Sequence, residues 1–513
     1  MKLNRIFKIF TVLAILVSVT ACKKDFLETD PLGKAAVSTF YKTDEDATMA
    51  IMATYDILQW MYARDWNSAY MVKTLPSDES NAGGGDAGDQ PPYQELDVFT
   101  FSAGNPTITA VYQSNYFGIY RANLVINNVI DETNYRKQVI AEAKFLRAYF
   151  YFELVSMYGS VPLNLVELSP SEYQQPPASV ADIWAQIETD LQEAIAGLPQ
   201  KSAYGADDKM RASKGAAQAL LGKAYLYQKK WAEAASAFDN VIAGGEYQLG
   251  DFATLFEKEQ ELGPESIFEV MYVTSEGYDW GTFQWGGNRA MENNITWQLT
   301  GPRGDFLTSD TVLHLIGGWG FNYPKMSLYE SFTSHGDVLR RNATLWSTTE
   351  LEANGGGWDD GGANAWGWDG CVRIKYATRL SETNAAAVPE LNYGTNLRLL
   401  RYADVLLMNA EAKFRAGDMA GALVEINKVR ARAGFEGEDI YTSIDFDKIV
   451  LERQLELSFE AVRYLDLIRW GLASEVLGSK GFVTGKHELY PIPLDELRNN
   501  SLMTQNPGYA GGN

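Results

Sequence analysis

The stretch "SKGAAQALLGKAYLYQKKWAEAASAFDNVIA", residues 213–243, contains two amphipathic segments with small and large apolar residues at helical spacing. Five of its residues fall at offsets 0, 1, 4, 13 and 17 from the first: Leu221, Gly222, Tyr225, Ala234 and Phe238. Gly222 and Ala234 are small enough for two helices to approach closely. The rings of Tyr225 and Phe238 then fill the space between those helices. The stretch therefore predicts a helical hairpin.

These offsets are the ones at which the tetratricopeptide repeat places Leu, Gly, Tyr, Ala and Phe. The leading Trp position of that repeat holds Gln218 here. A second unit is predicted at 399–433, and the segment "DLQEAIAGLP" matches the end of a third. The matching residues of these two units are Ala410, Gly417, Ala422 and Ile426, and Leu191, Ala194 and Pro199. Three matches in one chain favour a mostly α-helical protein built on a frame of tetratricopeptide-like hairpins.

The apolar periodicity also predicts helices outside these hairpins. They run from Asp44 to about Tyr62, over 112–130, over 137–158 with Gly159 as a stop, and without a break over 446–470. Residues 76–109, which include "PSDESNAGGGDAGDQPP", are predicted to form a loop.

Residues 276–375 differ in composition from the rest of the chain. This window holds eight of the thirteen tryptophans and seventeen of the forty-five glycines, although it is under a fifth of the 513 residues. Few of its segments keep a helical period, so we expect long loops and short strands inserted into the helical frame. Loops held by a rigid scaffold commonly carry binding surfaces, which makes this window the predicted ligand-binding region.

Tryptophans on glycine-rich loops indicate a partner that arrives from outside. The C–H face of a pyranose ring packs on the negative face of an indole, and both surfaces leave water. The predicted ligand-binding candidates are Trp66, Trp280, Trp285, Trp319, Trp358, Trp366 and Trp368, and we expect at least two of them to contact ligand. The loop Gly356–Gly370 is predicted to help shape this surface. The other six tryptophans are predicted to pack inside the protein. The core is expected to contain Trp60, Trp184, Trp231 and Trp470, and loops are expected to be anchored by Trp297 and Trp346.

The first residues have the pattern of an export signal. Three basic residues precede an apolar run at 9–19, and "VTAC" follows it, ending at Cys22. This order predicts a lipoprotein signal peptide at 1–21, lipid attachment at Cys22 and a tether at 22–45; the alternative is a plain secretory signal with an incidental cysteine. With Cys22 acylated, Cys371 has no disulfide partner in the chain, and a buried free cysteine behaves as a small hydrophobic residue.

The net charge argues against a nucleic-acid partner. It is −22 for the whole chain and becomes −25 when the three basic residues before Cys22 are removed. Such a surface repels phosphate backbones and anionic membrane faces, so a lipid must supply any membrane attachment.

Five ordered blocks resemble the SusD/RagB family of outer-membrane lipoproteins. They are "AEAKFLRAYFYFELVSMYGSVPL" (141–163), "RLLRYADVLLMNAEAKFRAGD" (398–418), "INKVRARAG" (426–434), "ERQLELSFEAVRYLDLIRWG" (452–471), and "LYPIPLDELRNN" with "QNPGY" (489–509). The resemblance implies one mostly helical body with four tetratricopeptide-like repeats and a variable half. The corresponding parts are a helical part at 46–275, the variable insertion at 276–375 and a second helical part at 376–513.

The resemblance also implies a function. Proteins of this family sit on the cell surface, bind oligosaccharide and deliver it to a SusC-like TonB-dependent transporter in the outer membrane. Some members bind peptide instead, so a RagB-like peptide-gathering protein is the alternative, with a glycoside hydrolase as a further one. Cys22 matches the acylated cysteine of the family; no sugar-contacting residue is carried over, because the binding half varies.

The sequence contains no recognised catalytic pattern. Its three histidines are far apart, and there is no HExxH, GxSxG or GxxxxGK[ST] motif, nor a GxGxxG after a predicted strand. Two carboxylates suffice for a glycosidase, but no pattern singles out a pair. Residues 78–89 and 358–370 mix carboxylates with glycine, as calcium loops can, without the EF-hand spacing. We predict no catalytic residue, metal ligand or cofactor, and calcium stays open as an alternative.

Overall fold

The computed structural model describes residues 40–285, 291–361 and 365–511. The predicted signal peptide, Cys22 and the tether as far as residue 39 lie outside these described residues. Within them, no helix has the length and apolar character needed to cross a membrane.

The described part of the chain is mainly helical. In chain order the helices are α1 (Asp44–Tyr62), α2 (Ala69–Thr74), α3 (Pro91–Asp97), α4 (Pro106–Asn128), α5 (Asn134–Tyr158), α6 (Val180–Gly197), α7 (Lys214–Tyr227), α8 (Trp231–Ala243), α9 (Ile295–Thr300), α10 (Met326–Ser334), α11 (Val338–Thr344), α12 (Thr348–Ala353), α13 (Tyr402–Ala416), α14 (Met419–Arg432), α15 (Phe446–Leu457), α16 (Arg463–Trp470), α17 (Ala473–Leu477) and α18 (Leu494–Asn499).

The predicted hairpins are confirmed and form a continuous row. Helices α5 and α6, α7 and α8, and α13 and α14 pack as pairs, and α6 packs on α7 while α8 packs on α13. In the pair α7–α8, Gly222 lies directly under the ring of Phe238, and Ala234 is fully buried. Helices α1 and α4 extend the row beyond α5. The fold class is therefore the predicted frame of tetratricopeptide-like hairpins.

The ends of the helices follow local hydrogen-bonding rules. Thr43 caps α1 in a reciprocal capping box with Asp46, and the first turn of α1 is acidic. Gly159 ends α5 at a φ of 73°, a conformation that glycine adopts without strain. The predicted loop at 76–109 was too broad, because it contains α3 and the first turns of α4. Asn105 caps α4 by accepting from the N–H groups of Thr107 and Ile108.

The strands form four separate antiparallel pairs in the described residues. They are β1 (Ser80–Asn81) with β4 (Tyr323–Pro324), β2 (Ser266–Val270) with β8 (Leu397–Arg401), β3 (Leu307–Thr308) with β6 (Gly357–Trp358), and β5 (Leu345–Ser347) with β7 (Cys371–Arg373). The short strands predicted for residues 276–375 are confirmed by β3–β7, but the same window also contains the short helices α9–α12, which its composition did not predict. Cys371 is buried and free within the described residues, and burial raises the pKa of its thiol to about 12.

The predicted continuous helix over 446–470 was wrong, because the chain breaks between α15 and α16. Phe459 and Ala461 have φ angles of 62° and 60°, which lie outside the helical region. The break places the carboxylate of Glu460 against Arg401 and Lys375, at 2.6 Å and 2.8 Å. An apolar periodicity does not show this interruption, since the ion pairs that hold it come from distant parts of the chain.

A buried charge network surrounds this break. Arg401 also binds Glu265 at 2.7 Å and Glu456 at 2.6 Å, and Arg340 binds Glu456 at 3.0 Å. Burial alone would lower the pKa of Arg401, but the neighbouring carboxylates raise it well above its ordinary value. Removing one partner of such a network leaves an uncompensated buried charge, at a cost of about 3–5 kcal/mol.

Gly222→Ala is expected to destabilise the protein, although alanine favours a helix over glycine by about 1 kcal/mol. A Cβ atom at this position would lie 2.5 Å from the Phe238 ring, so the α7–α8 pair must separate. We expect a net loss of about 1–2 kcal/mol in the free energy of unfolding, measured by urea denaturation. Adding Phe238→Leu is expected to restore part of this loss; an unaltered midpoint in the single variant contradicts the close helix contact.

The pH dependence of stability is expected to include a contribution from Glu79. Burial, and then Asp78, raise the pKa of this carboxyl to about 8, whereas the ordinary value is near 4.5. The protonated form is favoured in the folded protein, so its stabilising contribution is complete below about pH 4.5 and is lost as the pH rises through about 8. Relative to Glu79→Gln, the wild type should therefore lose up to about 1.4 kcal/mol per pH unit across this range. Denaturation curves of both proteins at pH 5, 7 and 8.5 measure this difference; parallel curves contradict it.

Candidate functional site

Three of the predicted tryptophans, distant in sequence, come together on one surface. The ring centroids of Trp66 and Trp319 lie 5.4 Å apart, and that of Trp285 lies 5.9 Å and 5.7 Å from them. The three planes deviate from one another by only 16°, 22° and 30°. We call these three near-parallel indoles the tryptophan platform.

Trp66 is positioned by the turn that follows α1. Its neighbour Asp65 is buried with a φ of 32°, and the Asp65 carboxylate accepts the Trp66 backbone N–H at 2.7 Å. The Trp66 carbonyl accepts a hydrogen bond from the Thr107 hydroxyl in the first turn of α4, at 3.4 Å. The ring of Phe321 supports Trp66 edge-on, with centroids 5.4 Å apart. The indole is therefore held by two helices and by the core.

Trp319 lies on a segment that pairs with α9. Its backbone N–H donates to the Gln298 carbonyl at 2.9 Å, and Phe321 pairs in the same way with Leu299 at 2.9 Å. The chain beside Trp319 is pressed flat against another segment, since a Cβ atom at Gly317 would lie 2.1 Å from the Cα of Gly304. Only glycine fits at this contact, so the backbone next to the Trp319 indole carries no side chain at Gly304 or Gly317.

A polar turn presents Trp280 beside the platform. The Asp279 carboxylate accepts the N–H groups of Gly281 and Thr282, both at 2.8 Å, and these hydrogen bonds lower the pKa of Asp279. Trp280 at the tip is 58% exposed. Further along the chain, the ring centroids of the buried Phe283 and of Trp285 lie 4.5 Å apart, and the Trp285 side chain is 41% exposed. Buried anchors thus hold indoles whose faces stay accessible.

The platform borders an open groove with two adjoining parts, of about 290 and 510 Å³. Trp280, Trp319 and Arg303 line both parts. Further polar groups around the groove are Asp89, Gln298, Asp305 and Glu390. Arg303 donates to Asp305, so its charge is paired within the groove. Aromatic faces combined with a few hydrogen-bonding groups are typical of a site for a polyhydroxylated ligand.

The other three tryptophan candidates lie elsewhere. Trp358 and Trp368 stack on each other with centroids 3.7 Å apart and planes 9° apart, and Tyr323 packs edge-on against both. The pair packs on the hydrophobic cluster around Trp346, so the exposed position predicted for Trp358 and Trp368 is corrected to a half-buried one. Trp366 is exposed, and its indole N–H donates to Gln94 at 3.0 Å.

Several residues of the groove were not singled out by the sequence. Asp89 belongs to the glycine-rich segment 78–89, where the mixture of carboxylates and glycine indicated only a calcium loop as an alternative. No sequence pattern indicated the other charged residues of the groove, because only the tertiary fold brings them close to the tryptophans. These residues are Arg303, Asp305 and Glu390. Within the described ranges, no group of three or more His, Cys, Asp or Glu side chains is arranged to hold a metal ion.

Comparison with protein families gives matches over two segments. Residues 264–483 match a family model described as the SusD family. Residues 56–226 match a SusD-like model described as starch-binding and associating with the outer membrane. Together the two segments include Trp66, Trp280, Trp285 and Trp319.

Individual relatives match nearly the whole chain. The SusD-like protein P2 of Formosa agariphila is 28% identical over 533 residues, covering 97% of this chain and 99% of that protein. The structure of a laminarin-binding SusD-like protein is 33% identical, with a TM-score of 0.82 over 91% of this chain and 100% of that one. Surface glycan-binding protein A from Bacteroides fluxus is 28% identical, with a TM-score of 0.77 and the same coverage.

Proposed function

Because the chain belongs to the SusD family, we propose that it is a surface lipoprotein that binds a glucan of the laminarin type on the tryptophan platform. It then delivers this glycan to a SusC-like TonB-dependent transporter in the outer membrane. The observation that carries the proposal is the convergence of Trp66, Trp285 and Trp319 beside a groove that Trp280 also lines. The laminarin-binding relative, 33% identical over its whole length, supports the choice of glycan.

Binding is non-covalent and uses two kinds of contact. The C–H faces of successive glucose rings pack on the indoles, where stacking of this kind contributes roughly 1–3 kcal/mol per ring by analogy with base stacking. The hydroxyl groups donate to Asp89, Asp305 or Glu390 and accept from Arg303. Two or three such rings give a Kd between about the micromolar and millimolar range, which permits release to a partner.

The charges in the groove favour a neutral glycan. Asp89, Asp305 and Glu390 supply three carboxylates, whereas Arg303 supplies one positive charge that is already paired with Asp305. A sulfated or uronic-acid polymer brings further negative charge close to these carboxylates and is repelled. An uncharged glucan avoids this cost, which is consistent with laminarin.

The location and the partner follow from the family and from the N-terminal sequence. The SusD-like family is described as associating with the outer membrane, and the lipobox at Cys22 supplies the attachment. The lipid anchor holds the protein on the exterior face, beside the transporter that takes up the glycan.

Removing two indoles of the platform is expected to weaken glucan binding. Trp66→Ala and Trp319→Ala each delete one stacking surface and should lower the affinity for laminarihexaose by about tenfold or more, measured by isothermal titration calorimetry. Trp231→Ala, which removes a half-buried indole from α8, is the matched control and should leave the affinity unchanged. Wild-type affinity in the double platform variant contradicts the proposed site.

The same titration distinguishes the alternative functions. A mixture of short peptides should give no heat of binding, and laminarihexaose recovered after incubation should be intact by mass spectrometry. Peptide binding that depends on Trp66 indicates a peptide-gathering protein. Shortened glucan indicates a hydrolase.

Cys22→Ala is expected to move the protein from the outer-membrane fraction to the soluble fraction. Without the thiol no acyl chain can be attached, and the acidic surface offers no other attraction to the membrane. Immunoblots of separated membrane and soluble fractions measure the distribution, with wild-type protein as the reference. Retention of the variant in the membrane contradicts the lipid anchor.

A further inference from the structure

A second groove lies on α4, outside the tryptophan platform. It has a volume of about 400 Å³ and runs between α4, the segment after α5 and the C-terminal helix α18. We call it the α4 groove. The residues that matter for its chemistry are Phe117, Tyr120 and Tyr173 on its walls and Asp495, Glu496 and Asn499 on α18.

The α4 groove exposes three aromatic side chains. Phe117 is 44% exposed, Tyr120 51% and Tyr173 63%. Large aromatic side chains on a soluble surface usually bury most of their area, and several of them around one cavity indicate a binding site.

The walls of the groove are fixed before any ligand binds. Tyr151 donates to the Asn164 carbonyl at 2.9 Å, and Asn123 donates to the same carbonyl at 2.9 Å. On the other side, Asn500 donates to the Gln175 carbonyl at 2.8 Å. The segment that carries Tyr173 is therefore bonded both to the helical frame and to the end of α18. A preformed cavity loses little conformational entropy on binding.

The polar groups of the groove are suited to hydroxyl groups. Asp495 and Glu496 are acceptors, the amide of Asn499 is both a donor and an acceptor, and no Lys or Arg is among the described residues that line the cavity. This charge disfavours phosphate, sulfate and carboxylate ligands. Aromatic faces with carboxylates and amides are the same combination that the platform presents, which points to a neutral sugar chain.

The two sites lie along one helix. The first turn of α4 touches Trp66, and Phe117 and Tyr120 follow about 10 and 13 residues later, which is roughly 15–20 Å along the helix axis. Trp60 contacts Phe117 with centroids 5.7 Å apart, and the Arg64 guanidinium lies over Trp60 at 4.2 Å. The ring of Trp60 thus packs against Phe117 at the edge of the α4 groove.

We propose that the α4 groove is a second binding site for a neutral glucan segment, separate from the tryptophan platform. The proposal rests on the proposed function, since the glucan is the ligand that the platform is inferred to bind. A short oligosaccharide occupies either site independently. A long chain that reaches both gains affinity, because its second contact is intramolecular.

The test compares two sets of variants by isothermal titration calorimetry with laminarihexaose. The groove variant combines Tyr120→Ala and Tyr173→Ala, and its matched control combines Tyr120→Phe and Tyr173→Phe, which keep the rings. The platform variant combines Trp66→Ala, Trp285→Ala and Trp319→Ala. Melting curves establish that each variant is folded, which is expected for the exposed tyrosines.

We expect wild type to bind two hexasaccharides and each of the two alanine variants to bind one. The variant that combines both sets should bind none, and the phenylalanine control should bind two. Long-chain laminarin should bind the groove variant at least tenfold more weakly than wild type.

The other outcomes separate the two proposals. A single site in wild type that the groove variant leaves unchanged and the platform variant abolishes overturns the second site and retains the proposed function. Binding that survives in the platform variant at full strength and disappears in the groove variant moves the function to the α4 groove. Absence of any binding to wild type refutes both.

Discussion

The guanidinium of Arg401 holds together the two places where the segment that carries Trp280, Trp285 and Trp319 joins the helical frame. Arg401 ends β8, and Glu265, which it binds at 2.7 Å, directly precedes β2. Residues 271–396, which include Trp280, Trp285 and Trp319, leave the frame through β2 and return through β8. The same guanidinium reaches Glu456 and Glu460 at the break between α15 and α16. One buried cation therefore fixes the insertion against the C-terminal helices.

The helices α15 and α16 therefore do more than pack an apolar face against the frame. Glu456 and Glu460 neutralise buried cations from three parts of the chain, and Lys375, after β7, is one of them. Burial lowers the pKa of Lys375 to about 8, so its charge depends on the ion pair with Glu460. Buried ion pairs add little net stability compared with apolar packing, but a misplaced partner is costly. The network thus determines how the chain turns between α15 and α16 and how residues 271–396 are placed against the frame. The segments that line the groove beside the platform are held in position by this arrangement.

The helical frame could be predicted because the residues that pack its hairpins together lie close to one another in the sequence. Gly222 and Phe238 are only sixteen residues apart, and a periodic pattern is sufficient to place them on facing helices. The break at Phe459 could not be predicted in this way, because its cause is an arginine that lies distant in sequence. For the groove, composition identified the tryptophans as a class. It did not separate the indoles of the platform, which line the groove, from Trp358 and Trp368, which pack on the cluster around Trp346. Trp66, Trp319, Trp358 and Trp368 are all half-buried, and only the tertiary fold determines which of these rings line the groove.

The stacking of Trp66, Trp285 and Trp319 on one another also limits how tightly the site can bind. Part of each indole face already contacts another indole, so a sugar ring gains only the surface that remains exposed. The mutual contact keeps the planes parallel before the ligand arrives, which lowers the entropic cost of binding. Both effects suit the proposed delivery role, since moderate affinity permits release and a preformed surface permits rapid capture. A site with fully exposed, mobile indoles would gain more contact area, but it would have to order them for each glycan that it captures.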